Sequence, residues 1–170
     1  IPATVGQQSW MFALPLKIDA GGIDLVLGSK GGSASIGWLR SPQNPRDVKA
    51  WRFHRWYDAG WIMSLIKKDI DGDGDLDVLA SDRKGKTSGV LWLENPGLKP
   101  MQAKPTRRWA AHRIGADGKE AMFISIAKDK TIYAAARPNQ IFILRPGIDV
   151  RKPWHSETIN FSPTKYGTSK

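Results

Sequence analysis

Along this chain the apolar residues gather in short runs closed by Gly, Pro, Asp or Ser, such as Ile62-Met63-Ser64-Leu65-Ile66, Val90-Leu91-Trp92-Leu93 and Met122-Phe123-Ile124-Ser125-Ile126. Runs this short, rich in β-branched and aromatic residues and bounded by turn formers, predict strands. No stretch carries a helical period between capping residues. The prediction is therefore an all-β chain.

The runs return in a fixed order, which is the mark of a repeat. A Trp-x-x-[His/Glu] pattern stands at Trp51-His54-Trp56, Trp109-His112-Ile114 and Trp154-Glu157-Ile159. Strands ending in a turn stand at Ile36–Pro42, Val90–Pro96 and Ile141–Pro146. Each unit reads as four short antiparallel strands, the size of one β-propeller blade. With the Trp strand opening each unit, the blades are expected at about 10–42, 51–97 and 109–147, with the start of a fourth at 154–170. Propellers close with about four to eight blades. Three blades and a strand therefore predict a partial propeller within one domain, completed by further blades or by an oligomer. The Pro- and base-rich connector 96–108 and the tail 162–170 are expected to be solvated loops.

Composition narrows the chemistry. The chain has 170 residues, no cysteine and eight tryptophans. Disulfides, thiolate metal sites and a cysteine nucleophile are excluded. No apolar run is long enough to span a bilayer as a helix, so no membrane span is expected. Lys and Arg number 26 against 16 acids, a net charge of +10. Such a surface implies polyanionic partners without choosing among them. The tryptophans are expected to pack the core, and His54 and His112, at equivalent positions, to share a structural role. The first residue is Ile1, which points to a processed or excised chain.

The sharpest local signal is Asp69-Ile70-Asp71-Gly72-Asp73-Gly74-Asp75-Leu76-Asp77, five carboxylates in nine residues. Acids at alternate positions turn toward one centre, and the glycines let the backbone bend. This suits a hard cation taking six to eight oxygen ligands, and calcium fits best. An EF-hand would need an acid three residues past Asp77, where Ala80 stands, and Leu76–Ala80 reads as a strand. The loop is therefore expected to join two strands and to hold calcium in a structural role.

The Asp-x-Asp-x-Asp-Gly-x-x-Asp loop followed by Leu-Asp-Val-Leu resembles the FG-GAP (VCBS-type) repeat of integrin-like β-propellers. The Trp-x-x-His strand and Leu91-Trp92-Leu93-Glu94-Asn95-Pro96-Gly97 resemble bacterial members of that group. The resemblance implies a calcium loop between the first and second strands of a blade. Its side-chain ligands would be Asp69, Asp71, Asp73 and Asp77, with the carbonyl of Asp75. The first unit keeps only Asp19 and Asp24 of the set, an uncertain second site. The third has Lys128 and Lys130, expected to be solvated turn residues, where acids would stand.

If the calcium loop lies at one end of the blades, the loops between second and third strands open at the other. Aligning the units places Lys30, Arg83 and Arg137 at one equivalent position, with Lys84 beside them. Such cations suit carboxylate or sulfate groups. The Tyr57–Trp61 loop should open at the same end and offer an aromatic surface. The leading expectation is a calcium-stabilised module, extracellular or periplasmic, binding an acidic polysaccharide or a protein partner. The alternative is a polysaccharide-active enzyme on the same scaffold: a uronate lyase with Tyr57 as a conceivable base, or a glycosidase. Nucleic acid is disfavoured, because no finger, RNA-recognition or phosphate-loop motif is present.

Overall fold

The structure is a computed structural model that describes residues 1–104 and 107–162. It contains three four-stranded antiparallel sheets. Sheet one holds β1 (Ser9–Leu16), β2 (Asp24–Lys30), β3 (Ser35–Arg40) and β4 (Arg52–Asp58). Sheet two holds β5 (Ile62–Lys68), β6 (Asp77–Asp82), β7 (Gly89–Glu94) and β8 (Ala110–Gly115). Sheet three holds β9 (Glu120–Ile126), β10 (Ile132–Arg137), β11 (Gln140–Arg145) and β12 (His155–Asn160). Strands follow chain order in every sheet, so each sheet is a meander with no crossover.

The repeat is present, but its phase differs by one strand from the expectation. The Trp-x-x-[His/Glu] strand closes a sheet instead of opening the next one: β4 pairs with β3, β8 with β7 and β12 with β11. The expected groupings 51–97 and 109–147 therefore each straddle two sheets, and 10–42 lacks its fourth strand. The strand read as the start of a fourth unit completes sheet three, while residues 163–170 of that unit lie outside the described residues. The register explains the repeated motif. Val26 faces Trp38 and Trp38 faces His54; Leu79, Trp92 and His112 occupy the same places in sheet two. The imidazoles lie 5.3 Å and 4.7 Å from their indoles. They are cross-strand packing partners.

Two cores separate the three sheets. Between sheets one and two lie Val26, Ile36, Trp38, Trp56, Ile62, Val78, Leu91 and Leu93. Between sheets two and three lie Leu79, Trp92, Ile114, Ile124, Ala134, Phe142 and Leu144. The strands β6 and β7 are buried on both faces, which is why they read as continuous apolar runs. The tryptophan that precedes each fourth strand reaches back to the preceding sheet. Trp109 stacks on Trp56 at 4.2 Å, and the Trp154 N–H donates to the Ile114 carbonyl at 3.0 Å. Trp51 has no preceding sheet and covers Leu27 and Leu39 on the outer face of sheet one.

The connector expected as a solvated loop contains a short helix, α1 (Leu98–Ala103). Gly97 at φ 81° turns the chain into it, and Met101 enters the core between sheets one and two. Pro100 sits in the first turn, where its missing N–H costs nothing. Among the described residues no helix is long and apolar enough to cross a membrane.

Candidate metal centre and cation cluster

The acidic loop joins β5 to β6, the first and second strands of sheet two. Local hydrogen bonds shape it. The Asp69 carboxylate accepts the Gly72 and Gly74 N–H groups at 2.7 and 3.2 Å. Asp71 accepts from the Asp73 N–H at 3.3 Å, and Asp73 from the Asp75 N–H at 2.8 Å. Gly72 and Gly74 hold φ of 86° and 92°, a conformation that glycine adopts without strain. Asp77 is buried, and each of its oxygens accepts a backbone N–H at 2.8 Å, from Ile70 and from Asn95. The carboxylate thereby ties both ends of the loop to the turn that follows β7.

Of the five acids in the motif, Asp69, Asp71 and Asp77 offer oxygens within 4.8 Å of one another. Asp73 and Asp75 are not brought into that group. Burial pushes Asp77 up to about 7, against the two N–H bonds that favour its charged form, and Asp71 and Asp73 add repulsion. Burial, then the charges of Asp73, Asp69 and Asp71, also raises Asp75. A cation at this point would relieve both penalties.

The third sheet already sends two cations here. Arg151 Nη2 lies 2.7 Å from Asp71 Oδ2 and 2.6 Å from Glu94 Oε1. Its guanidinium, together with His112 at 2.7 Å, holds Glu94 below the ordinary carboxylate range. Lys130 Nζ donates to the Ile70 carbonyl at 2.8 Å, so it is a bonded residue and not a solvated turn residue. Neither contact is readable locally, because both partners lie far along the chain.

The first unit repeats the brace without the loop. Asp24 Oδ1 accepts from the Ser41 N–H at 2.7 Å, as Asp77 does from Asn95, and Asp19 is paired with Arg40 at 2.9 Å. Burial raises Asp24 despite the Ser41 bonds. In sheet three the equivalent of Ser41 and Asn95 is Pro146, which has no N–H to offer, and the acid is replaced by Thr131.

At the opposite end the structure gathers the expected cations. Lys30 Nζ, Arg83 Cζ and Lys84 Nζ lie 5.0, 4.9 and 5.1 Å from the centroid of the Trp61 ring. Trp61 is therefore a seat for cations rather than an open platform for a sugar ring. Arg83 pairs with Glu120 at 2.9 Å, not with its neighbour Asp82, and its side chain is 15% exposed. Arg137 faces Glu120 across the strand pair, and their charges interact. Lys84 and Arg137 are exposed, and Lys30 is half-buried. Tyr57 lies below this end, near Arg113 and Thr87. Burial pushes its hydroxyl above the ordinary phenol range, the wrong direction for a general base.

Asp82, whose adjacent position suggests only a local partner for Arg83, organises this end. It is fully buried, and its carboxylate accepts from the Trp61 N–H at 2.7 Å, the Gly60 N–H at 3.0 Å and the Thr87 hydroxyl at 2.7 Å. An acid in the last position of a strand, followed closely by Gly and Thr, was the available signal. A Cβ on Gly60 would stand 1.8 Å from the Lys84 carbonyl oxygen, so the two turns pack backbone to backbone. Compared with protein-family models and with curated proteins, the chain matches none.

Proposed function

We propose that this chain is a calcium-stabilised binding module of the FG-GAP (VCBS) propeller type, each sheet serving as one blade, that takes an acidic polysaccharide at its cationic end. The observation that carries the reading is the seating of Lys30, Arg83 and Lys84 on the single Trp61 ring. Like charges held this close repel, and an anion bridging them offsets the cost. Glu120 neutralises part of the cluster, which leaves Lys84 and Arg137 as the accessible charges. Carboxylate or sulfate groups along a flexible chain suit such a surface, and a protein partner would have to present a similar acidic stretch.

Calcium belongs to the opposite end. Asp69, Asp71 and Asp77 would supply hard oxygen donors, and Asp73 and the Asp75 carbonyl are the further donors that the resemblance implies. When bound, the ion supplies charge neutralisation and rigidity to the turn between β5 and β6. Millimolar calcium outside the cytoplasm suits a site of this kind, so an extracellular or periplasmic location accompanies the proposal.

Titration calorimetry with polygalacturonate and with dextran sulfate tests the polyanion reading, with neutral dextran as the blank. Joint reversal of Lys84 and Arg137 to Glu should weaken binding at least tenfold. Reversal of the remote Lys17 and Lys152 should change it little. Equal losses in the two pairs would mean diffuse attraction and no site. Heat without any release of unsaturated sugar separates binding from lyase chemistry.

A further inference from the structure

Beside the cation cluster, at the same end of the sheets, an open cleft of about 420 Å³ lies between the segment 6–9 that leads into β1 and the turn 30–33 from β2 to β3. Lys30 belongs to both: its ammonium sits over Trp61, and the residue lines the cleft. Among the described residues it is the only charge on the cleft walls, which are otherwise glycine, glutamine and serine.

A buried pair of hydroxyls fixes Gln8 in one wall. Ser29 and Ser35 are fully buried. The Ser29 hydroxyl accepts the Ser35 N–H at 2.8 Å and donates to Gln8 Oε1, and the Ser35 hydroxyl donates to the same oxygen at 2.8 Å. By register Ser29 stands where Asp82 stands in sheet two, one place before Lys30 and Arg83 respectively. The Asp82 carboxylate reaches the neighbouring turn by itself; the shorter serine does not, and the Gln8 oxygen completes the network from the other side. Both acceptor positions of Oε1 are then filled. Gln8 Nε2, which makes no bond within the chain among the described residues, is left to the cleft as a donor held in one direction.

The opposite wall is also fixed. Arg55 donates to the Ser33 and Ala34 carbonyls at 3.1 and 2.9 Å, and the Gly31 N–H donates to the Gly60 carbonyl at 3.3 Å. The Gly60 N–H in turn donates to Asp82 at 3.0 Å, so the cleft and the cation cluster share one support. Ser9 and Ser33 are exposed and line the cleft, and a Cβ on Gly32 would meet nothing within 4 Å.

We propose that this cleft is a subsite for the neutral, hydroxyl-bearing part of an acidic sugar chain, with the acidic group on Lys30 and the hydroxyls on the Gln8 amide and the flanking serines. This rests on the polyanion reading of the cationic end and adds what separates a sugar from other polyanions. Cations alone select by charge. Neutral donors and acceptors placed in a cleft beside them recognise groups that a bare polyanion lacks. A sugar ring presents vicinal hydroxyls that both donate and accept, which matches a fixed amide donor flanked by serine hydroxyls. The cleft is at the small end of ligand pockets, with room for a ring. A single-stranded nucleic acid would need an open aromatic face, and the Trp61 ring is taken by Lys30, Arg83 and Lys84.

Calorimetry with polygalacturonate and with polyglutamate, whose carboxylates stand on a backbone without hydroxyls, tests the subsite. Gly32→Leu fills the cleft without changing charge, and Gln8→Met removes the amide donors at similar volume. Each should weaken polygalacturonate binding about five- to tenfold, the loss of about one hydrogen bond, and leave polyglutamate binding within about twofold. Gln8→Met also deprives two buried hydroxyls of their acceptor and should lower Tm. Gly32→Leu, in an exposed turn, should leave Tm unchanged, so its result stands by itself. Unchanged polygalacturonate affinity in Gly32→Leu, with Lys84 and Arg137 reversal still weakening binding, overturns the subsite and leaves the polyanion reading intact. Equal losses for both polymers would make the cleft part of a charged surface, and a loss confined to polyglutamate would assign it to an acidic peptide; either result overturns the sugar assignment. An unaltered chain that binds neither polymer ends the polyanion reading and the subsite with it.

Discussion

Removing the Asp82 carboxylate should loosen the cationic end and destabilise the whole chain. Three well-made bonds end on it, from the Trp61 N–H, the Gly60 N–H and the Thr87 hydroxyl, and a longer one comes from the Lys84 N–H at 3.3 Å. In Asp82→Ala these donors lose their acceptor. At about 1 kcal/mol net for each of the three, the loss is about 3 kcal/mol. Orphaned buried donors push the figure up, and the carboxylate's own burial cost pushes it down. For a domain of this size that corresponds to a fall of about 6–12 °C in Tm. Asp82→Asn keeps one acceptor oxygen and should lose only about 1 kcal/mol. Urea unfolding followed by tryptophan fluorescence measures the difference, and calorimetry with dextran sulfate follows the binding. Polyanion affinity should fall with Asp82→Ala because Trp61 and Lys84 are no longer held together. An Ala variant within about 1 kcal/mol of the unaltered chain would refute the assignment of Asp82 as the organising group.

Three further outcomes are expected. Millimolar calcium should raise Tm, Asp69→Asn should remove most of the rise, and Arg151→Gln should enlarge it by taking away the counter-charge on Asp71; melting that is identical in calcium and in chelator would sink the metal reading. Asp77 titrates near 7 when folded against 3.8 otherwise, so the folded state holds more protons between those values. Without a metal, stability should therefore fall as pH rises from about 4 to 7 and level off above, by up to ~4 kcal/mol, and calcium should flatten the slope in pH-resolved urea titrations. Gly60→Ala should cost at least ~1–3 kcal/mol and weaken polyanion binding, since its Cβ would meet the Lys84 carbonyl; unchanged melting would show that the two turns can separate freely.

The repeat was legible because strand length, turn residues and the Trp-x-x-[His/Glu] motif are local. Its phase was not. The segment Trp51–Trp56 could open one sheet or close another with the same alternation, and only its pairing to Trp38 and Leu39 decides between them. The helix α1 escaped notice because its six residues hold too little period to separate from a loop, and Met101 owes its burial to two sheets distant in sequence. The cation cluster was anticipated by aligning Lys30, Arg83 and Arg137, yet the role of Trp61 reversed. Whether an indole faces solvent or cations depends on which neighbouring turn lies over it.

By itself the sequence determined a β chain of repeated four-strand units, an acidic turn with metal-ligand spacing, and a strongly basic surface. These follow from residue type and from separations of a few residues, where backbone geometry alone links pattern to shape. Only the tertiary structure decided which strands share a sheet, that three of the five loop acids converge, that Arg151 and Lys130 already reach that loop, and that Asp82 and Glu120 hold the cations in place. Each of these is a contact between segments that the chain must first bring together. Hydrogen bonds and charges act over a few ångströms of space, and the linear order of residues does not record that distance.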